Sequence, residues 1–283
     1  MLKLLNNGIG ERQEVPGLRL DLVSERATLS TRGQEDNGHA SSKALLPMIK
    51  RRLQNTWLHP RHLAQREIDG FVRAEGPSLR GVMLDVGCGK KPYLRHIPNV
   101  QKYVAVDVPS TIHGAHHADI LASVLALPFE SGAFDSVLCT EVLEHTADPS
   151  LCLREMARVA KPGATLLLTV PLSEMLHEEP NDYCRFTRYW LKYLLDLNGW
   201  RIDRIEERGG AWTELGYRFS SFLYASFGAK KDSTGNLRPH FLLGPPVVMV
   251  CTLAQIAAHM LNKLWPSQLS TIGYGVIATR KER

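Results

Sequence analysis

A chain of 283 residues with 44% hydrophobic side chains can bury one large α/β core with additions, or two small domains. Its net charge of +5 permits an anionic partner without demanding one, and no clustered Lys/Arg–aromatic groove favours nucleic acid. The five cysteines include no C-x-x-C pair, which speaks against a metal or disulfide framework and for reduced thiols in a cytoplasmic protein.

Residues 1–42 are polar and are expected to be loosely attached, with too short an apolar run for a signal peptide. From 43 to 80 the spacing predicts two helices divided at Pro60. Leu45, Met48, Ile49 and Leu53 mark the first, and Ile68, Phe71 and Val72 the second. Strands are predicted at 82–86, 103–107, 134–139 and 164–170, with helices near 92–96, 149–159 and 188–197. Thr187 reads as the N-cap of the last helix and Asn198-Gly199 as its stop. Strands near 200–207 and 273–279 complete an alternating pattern. It implies a mostly parallel sheet with helices on both faces and ligands at the carboxyl ends of the strands.

The region 211–270 is an insertion or cap, and 271–283 carries the closing strand. Within the cap, Val247 to Trp265 reads as an amphipathic helix whose polar stripe is Gln255, His259, Asn262 and Lys263. Two readings stay open: a helix packed on the core, or one that meets a membrane surface or forms a homodimer. No segment is expected to supply the ~18 uninterrupted apolar residues of a transmembrane helix.

Val82-Met83-Leu84-Asp85-Val86-Gly87-Cys88-Gly89 is a strand running into a glycine turn, and Tyr103-Val104-Ala105-Val106-Asp107 is a second strand ending in acid. A glycine loop after one strand and a carboxylate after the next is how such sheets hold a ribose. Pro92 stands where the third glycine of G-x-G-x-x-G would fall, which argues for a nucleoside ligand without pyrophosphate.

These pieces, with L-P-F at 127–129, F-D-S-V-L-C-T-E-V-L-E-H at 134–145 and K-P-G at 161–163, resemble the class I S-adenosylmethionine-dependent methyltransferases, within them the type 11 group. The resemblance implies a Rossmann-like, mostly parallel seven-stranded sheet with its last strand antiparallel, and a binding core over 81–210. It implies that Asp85, Gly87, Cys88 and Gly89 line the methionine end of S-adenosyl-L-methionine, that Asp107 holds the ribose diol and that Val108 touches the adenine. Ser123 stands where the family carries an acid for the adenine amine, with Asp119 as the alternative. Thr140 and Glu141 fall where the cofactor meets the pocket floor. The absence of Asn/Asp-Pro-Pro-Tyr after the fourth strand speaks for oxygen or carbon methylation rather than for nucleobase amine chemistry.

The loop P-L-S-E-M-L-H-E-E-P-N-D-Y-C-R-F-T at 171–187 resembles type 11 enzymes of glycan biosynthesis. His177 is the first candidate base, His145 the second, and Asp182 an orienting carboxylate. Tyr183 and Arg185 are candidate substrate ligands, Arg185 with an ion pair to Asp182 as its other reading. The expected function is O-methylation of a hydroxyl on a glycan, a lipid-linked glycan or a small-molecule intermediate, in the cytoplasm or at the inner face of a membrane. A C-methyltransferase and a non-catalytic cofactor-binding protein are the alternatives, and no metal is expected.

Overall fold

In the computed structural model the described residues are 56–112, 114–231, 237–240 and 242–282. The expectations for residues 1–42 and for the first of the two N-terminal helices lie outside them. Strands β1 (Gly81–Val86), β2 (Val100–Asp107), β3 (Ile120–Leu121), β4 (Phe134–Thr140), β5 (Ala160–Pro171), β6 (Trp200–Arg208) and β9 (Gly273–Arg280) form one sheet, ordered β3-β2-β1-β4-β5-β9-β6. β1 pairs in parallel with β2 and β4, β2 with β3, and β4 with β5, while β9 runs antiparallel to both β5 and β6. β6 is therefore parallel to β5, and all the motif-bearing strands finish at one end of the sheet. Sequence reasoning did not find β3, because two residues paired to Val106 and Asp107 carry no periodicity.

Alternation along each strand assigns its two faces. Leu84 and Val86 enter a large core with Cys152, Leu153 and Met156 of α2 (Pro149–Val159) and Leu191, Leu194 and Leu195 of α3 (Arg188–Leu197). Met83, Leu138 and Leu167 face Ile68, Phe71 and Val72 of α1 (His62–Glu75) on the other side. Asp148 caps α2 by accepting from Leu151 N, and Thr187 caps α3 by accepting from Trp190 N. Gly199, at φ +85°, turns the chain into β6, where Trp200 is fully buried and donates its Nε1–H to Leu153 O at 3.0 Å. The predicted helix at 92–96 is a single 3₁₀ turn, Leu94–His96. All five cysteines are free.

The cap consists of α4 (Ala211–Leu223), a π turn at Tyr224–Gly228, a hairpin of β7 (Ala229–Lys231) and β8 (Leu237–Pro239), and α5 (Gly244–Leu264). Gly216 lets α4 and α5 close on each other, since a Cβ there would stand 2.4 Å from Ala258 Cβ. α5 corrects two expectations. With 21 residues and a mean hydropathy of 1.4, it is long and apolar enough to cross a membrane. Gln255 of its polar stripe also points inward at 0% exposed, whereas Lys263 stays exposed and Leu253 is 61% and Met260 56% exposed. The Gln255 amide accepts from Leu63 N at 3.2 Å and donates to His59 O at 3.1 Å, so the α1 end of the chain draws the polar side in.

Candidate active site

The turn after β1 brings Gly87 and Gly89 to φ +68° and +49°, which a side-chain-free backbone adopts at no cost. The Gly87 and Cys88 N–H groups donate to Val106 O at 2.9 and 3.1 Å, stitching the turn to β2. Asp107 completes the cradle: its Oδ2 accepts from Gly89 N at 3.0 Å and its Oδ1 from Val108 N at 2.8 Å. A carboxylate has about four acceptor sites, so two remain for a diol. Val108 beside it is exposed, as an adenine platform must be.

Several other expected cofactor residues are bonded within the fold. Asp85 is buried, and its carboxylate accepts the Tyr103 hydroxyl. Burial raises its pKa to about 7, against the pull of the Tyr103 hydrogen bond and Lys91. The Cys88 side chain is also buried, and desolvation with Asp85 and Asp107 pushes its thiol far up, leaving it unreactive. Asp119 ties Lys91 Nζ at 3.0 Å and Ala105 N at 2.8 Å. Ser123 is exposed, and its Oγ accepts from Leu125 N at 3.2 Å, a local turn.

Thr140 ends β4, and Glu141 follows at φ +54°, a strained angle for a residue with a Cβ. The Glu141 N–H donates to Thr169 O at 3.1 Å, and its carboxylate lies 2.8 Å from Arg208 Nη2, off the hydrogen-bond axis. Arg208 is buried and donates to Val170 O at 2.8 Å and Tyr274 O at 3.2 Å. It joins three strands at the ligand end, a role invisible in sequence because it depends on β9 returning between β5 and β6.

The two candidate bases meet. The rings of His145 and His177 are edge to face with centroids 4.7 Å apart. His145 Nδ1 lies 2.8 Å from Asn181 O and His177 Nδ1 lies 3.1 Å from Met175 O. A carbonyl only accepts, so both Nδ1 atoms carry hydrogen, and in a neutral ring Nε2 then holds the lone pair. Beside them Glu144 is 0% exposed, and neither of its oxygens meets a hydrogen-bond donor of the described residues. Burial and then Glu141 push its carboxyl well above the usual range. Donor atoms of Glu144, His145 and His177 lie within 4.8 Å of one another, a set able to hold a cation where the sequence reading expected none. Glu144 stood inside the E-V-L-E-H motif, and its burial was the signal that sequence does not print.

Asp182 and Arg185 organise the loop. Asp182 accepts from His177 N at 3.0 Å and binds Arg185 through both oxygens at 2.5 and 2.8 Å. Burial would raise its carboxyl, but the Arg185 bonds and the His177 N–H outweigh it and hold the pKa at about 2. Arg185 spends further donors on Glu174 O, Met175 O and Cys184 O. Of the two readings of Arg185, these bonds are the ion pair with Asp182, and its guanidinium donates within the loop. Tyr183, by contrast, is 54% exposed, with its hydroxyl donating to Asn181 Oδ1 at 3.2 Å.

Residues 84–168 match the family described as "Methyltransferase domain". The ubiquinone biosynthesis O-methyltransferase of Hahella chejuensis is 30% identical over 219 residues, which is 71% of this chain and 76% of that protein. The chain belongs to the class I S-adenosylmethionine-dependent methyltransferases. It is a methyltransferase, and S-adenosylmethionine is its cofactor. The ajmaline N-methyltransferase of Rauvolfia serpentina is 33% identical over 102 residues but covers only 34% of that protein. Among solved structures, the Haloferax volcanii complex of the Trm112 activator with a methyltransferase matches with TM-score 0.50. It does so at 14% identity, over 86% of this chain and 96% of that one, which shows the shared fold. The turn of Gly87 and Gly89, the free acceptor sites of Asp107 and the exposed Val108 suit that methyltransferase cofactor.

Proposed function

We propose that this methyltransferase transfers a methyl group to the hydroxyl of a glycan, a lipid-linked glycan or a small biosynthetic intermediate. The observation that carries the reading is the pair of imidazoles whose Nδ1 atoms are held by Asn181 O and Met175 O, which leaves Nε2 as the ring nitrogen of each open to a proton. When bound, S-adenosylmethionine supplies a methyl group made electrophilic by its sulfonium. A neutral hydroxyl must shed its proton as its oxygen takes that methyl, and Nε2 of His177 is the base that receives it in this reading. Asp182 acts on this step by positioning: it fixes the His177 backbone N–H and anchors Arg185. Gly87, Gly89 and Asp107 hold the nucleoside, and Tyr183 offers an exposed ring and hydroxyl to the acceptor. Similarity to an O-methyltransferase over three quarters of its length supports oxygen over nitrogen.

The test is to incubate the protein with methyl-labelled cofactor and cell extract, isolate the labelled product and treat it with hot hydriodic acid. Release of labelled methyl iodide is expected of an O-methyl ether. Label retained on carbon makes the enzyme a C-methyltransferase.

A further inference from the structure

We propose that the outer face of the α4–α5 cap docks on an anionic phospholipid bilayer, with α5 lying flat beside the entrance to the methyl-transfer site. On α5, Met249, Leu253, Ile256, Met260 and Leu264 recur at helical spacing on one stripe, and they are 60%, 61%, 37%, 56% and 69% exposed. The opposite stripe, with Cys251, Gln255 and Ala258, is buried against α4 and α1. Exposed Phe219 and Phe222 on α4 and Trp265 just past α5 add aromatic rings of the kind that settle at the headgroup level. A contiguous apolar face this large marks an interaction surface.

Charge selects the occupant. From 215 to 272 the sequence carries Arg218, Lys230, Lys231, Arg238 and Lys263 against the single acid Asp232. An apolar stripe in a segment of this net positive charge suits anionic lipid, whereas a second copy would bring like charges together across the interface. The helix lies on the bilayer and does not cross it. At about 30 Å it could span the hydrocarbon. Spanning would break the Gln255 bonds to Leu63 and His59 and part Ala258 from Gly216. The cap is also tied to the catalytic loop: Ser173 Oγ donates to Glu214 Oε1 at 2.5 Å, and Tyr217 donates to Glu174. Docking would thus join the membrane to the His177 loop through the cap, an arrangement suited to an acceptor with a lipid tail.

The full chain is floated with vesicles of phosphatidylcholine alone or with 30% phosphatidylglycerol, at low and high salt. We expect binding to the anionic vesicles, at least tenfold weaker with phosphatidylcholine alone or at high salt. Leu253→Glu with Met260→Glu should abolish binding with an unchanged melting temperature, because both side chains are exposed. Arg218→Glu with Lys263→Glu should weaken it on anionic vesicles only. No flotation at low salt, or flotation that survives the Leu253/Met260 change, overturns the proposal. Light scattering that shows a dimer dissociated by that change, without vesicle binding, assigns the face to a second copy instead. Resistance of bound wild type to carbonate extraction would mean a spanning helix. None of these readouts needs methyl transfer, so failure here leaves the O-methylation reading to its own test.

Discussion

The imidazoles of His145 and His177 meet edge to face, 4.7 Å between centroids and 78° between planes, although 31 residues of chain, all of β5 among them, separate them. Each is held in the Nδ1–H tautomer by a backbone carbonyl. The two Nε2 atoms therefore belong to one site, and removing either ring exposes the other.

His177→Ala should lower turnover by roughly 10²–10⁴-fold with cofactor affinity near wild type, the signature of a lost general base. His145→Ala should cost less. Steady-state kinetics beside calorimetry with S-adenosylhomocysteine measure both, and the reverse order would move the base to His145.

Asp107→Ala should weaken S-adenosylhomocysteine binding by about 2–3 kcal/mol, through lost charge-assisted hydrogen bonds. Part of that loss comes from the Gly89 and Val108 N–H groups, which lose the carboxylate that orders them. Unchanged affinity by calorimetry would remove Asp107 from the ribose.

Gly87→Val should abolish cofactor binding. At φ +68° a Cβ would stand 2.4 Å from Val142 Cγ2, so both backbone angle and contact oppose it. Val142→Ala in the same chain relieves the contact alone and should restore folding stability more than binding. Full recovery of binding would mean that the backbone angle is unimportant.

Asp85→Asn should stabilise the protein more at pH 8 than at pH 5. The folded Asp85 has a pKa raised to about 7 from 3.8, so the folded state holds the extra proton between these values. Stability from this group therefore falls as pH rises through that window, by on the order of 4 kcal/mol in full, and the amide removes the slope. Thermal melts of both proteins from pH 5 to 8 read it directly. A constant difference in melting temperature would mean that Asp85 stays ionised.

Gln255→Leu should cost about 1–3 kcal/mol in denaturant unfolding, because it strips Leu63 N and His59 O of their partner inside the protein. A neutral outcome would show that the cap and α1 are held by apolar contact alone.

Local sequence specified much of this molecule. The strand ends, the cap at Thr187, the stop at Gly199 and the glycine turn with its acid partner Asp107 are all properties of a few adjacent residues. Short-range sterics and hydrogen bonding act on just that scale, so they could be read in order along the chain. The antiparallel return of β9 came through resemblance, and its pairing with β5 and β6 confirms it.

Tertiary structure decided what depends on partners far away in the chain. Arg185 carried the right charge to bind a substrate, but the folded loop surrounds it with Asp182 and three carbonyls. Glu144 was one more acid in a motif until the fold removed it from water. α5 is the clearest case. Periodicity revealed two unlike faces, but not which one turns inward, since that depends on what waits on the other side. What waits is Leu63 N–H and His59 C=O, nearly two hundred residues upstream, together with the backbone gap at Gly216. Buried polar groups require partners, so Gln255 goes in and Leu253 is left facing out.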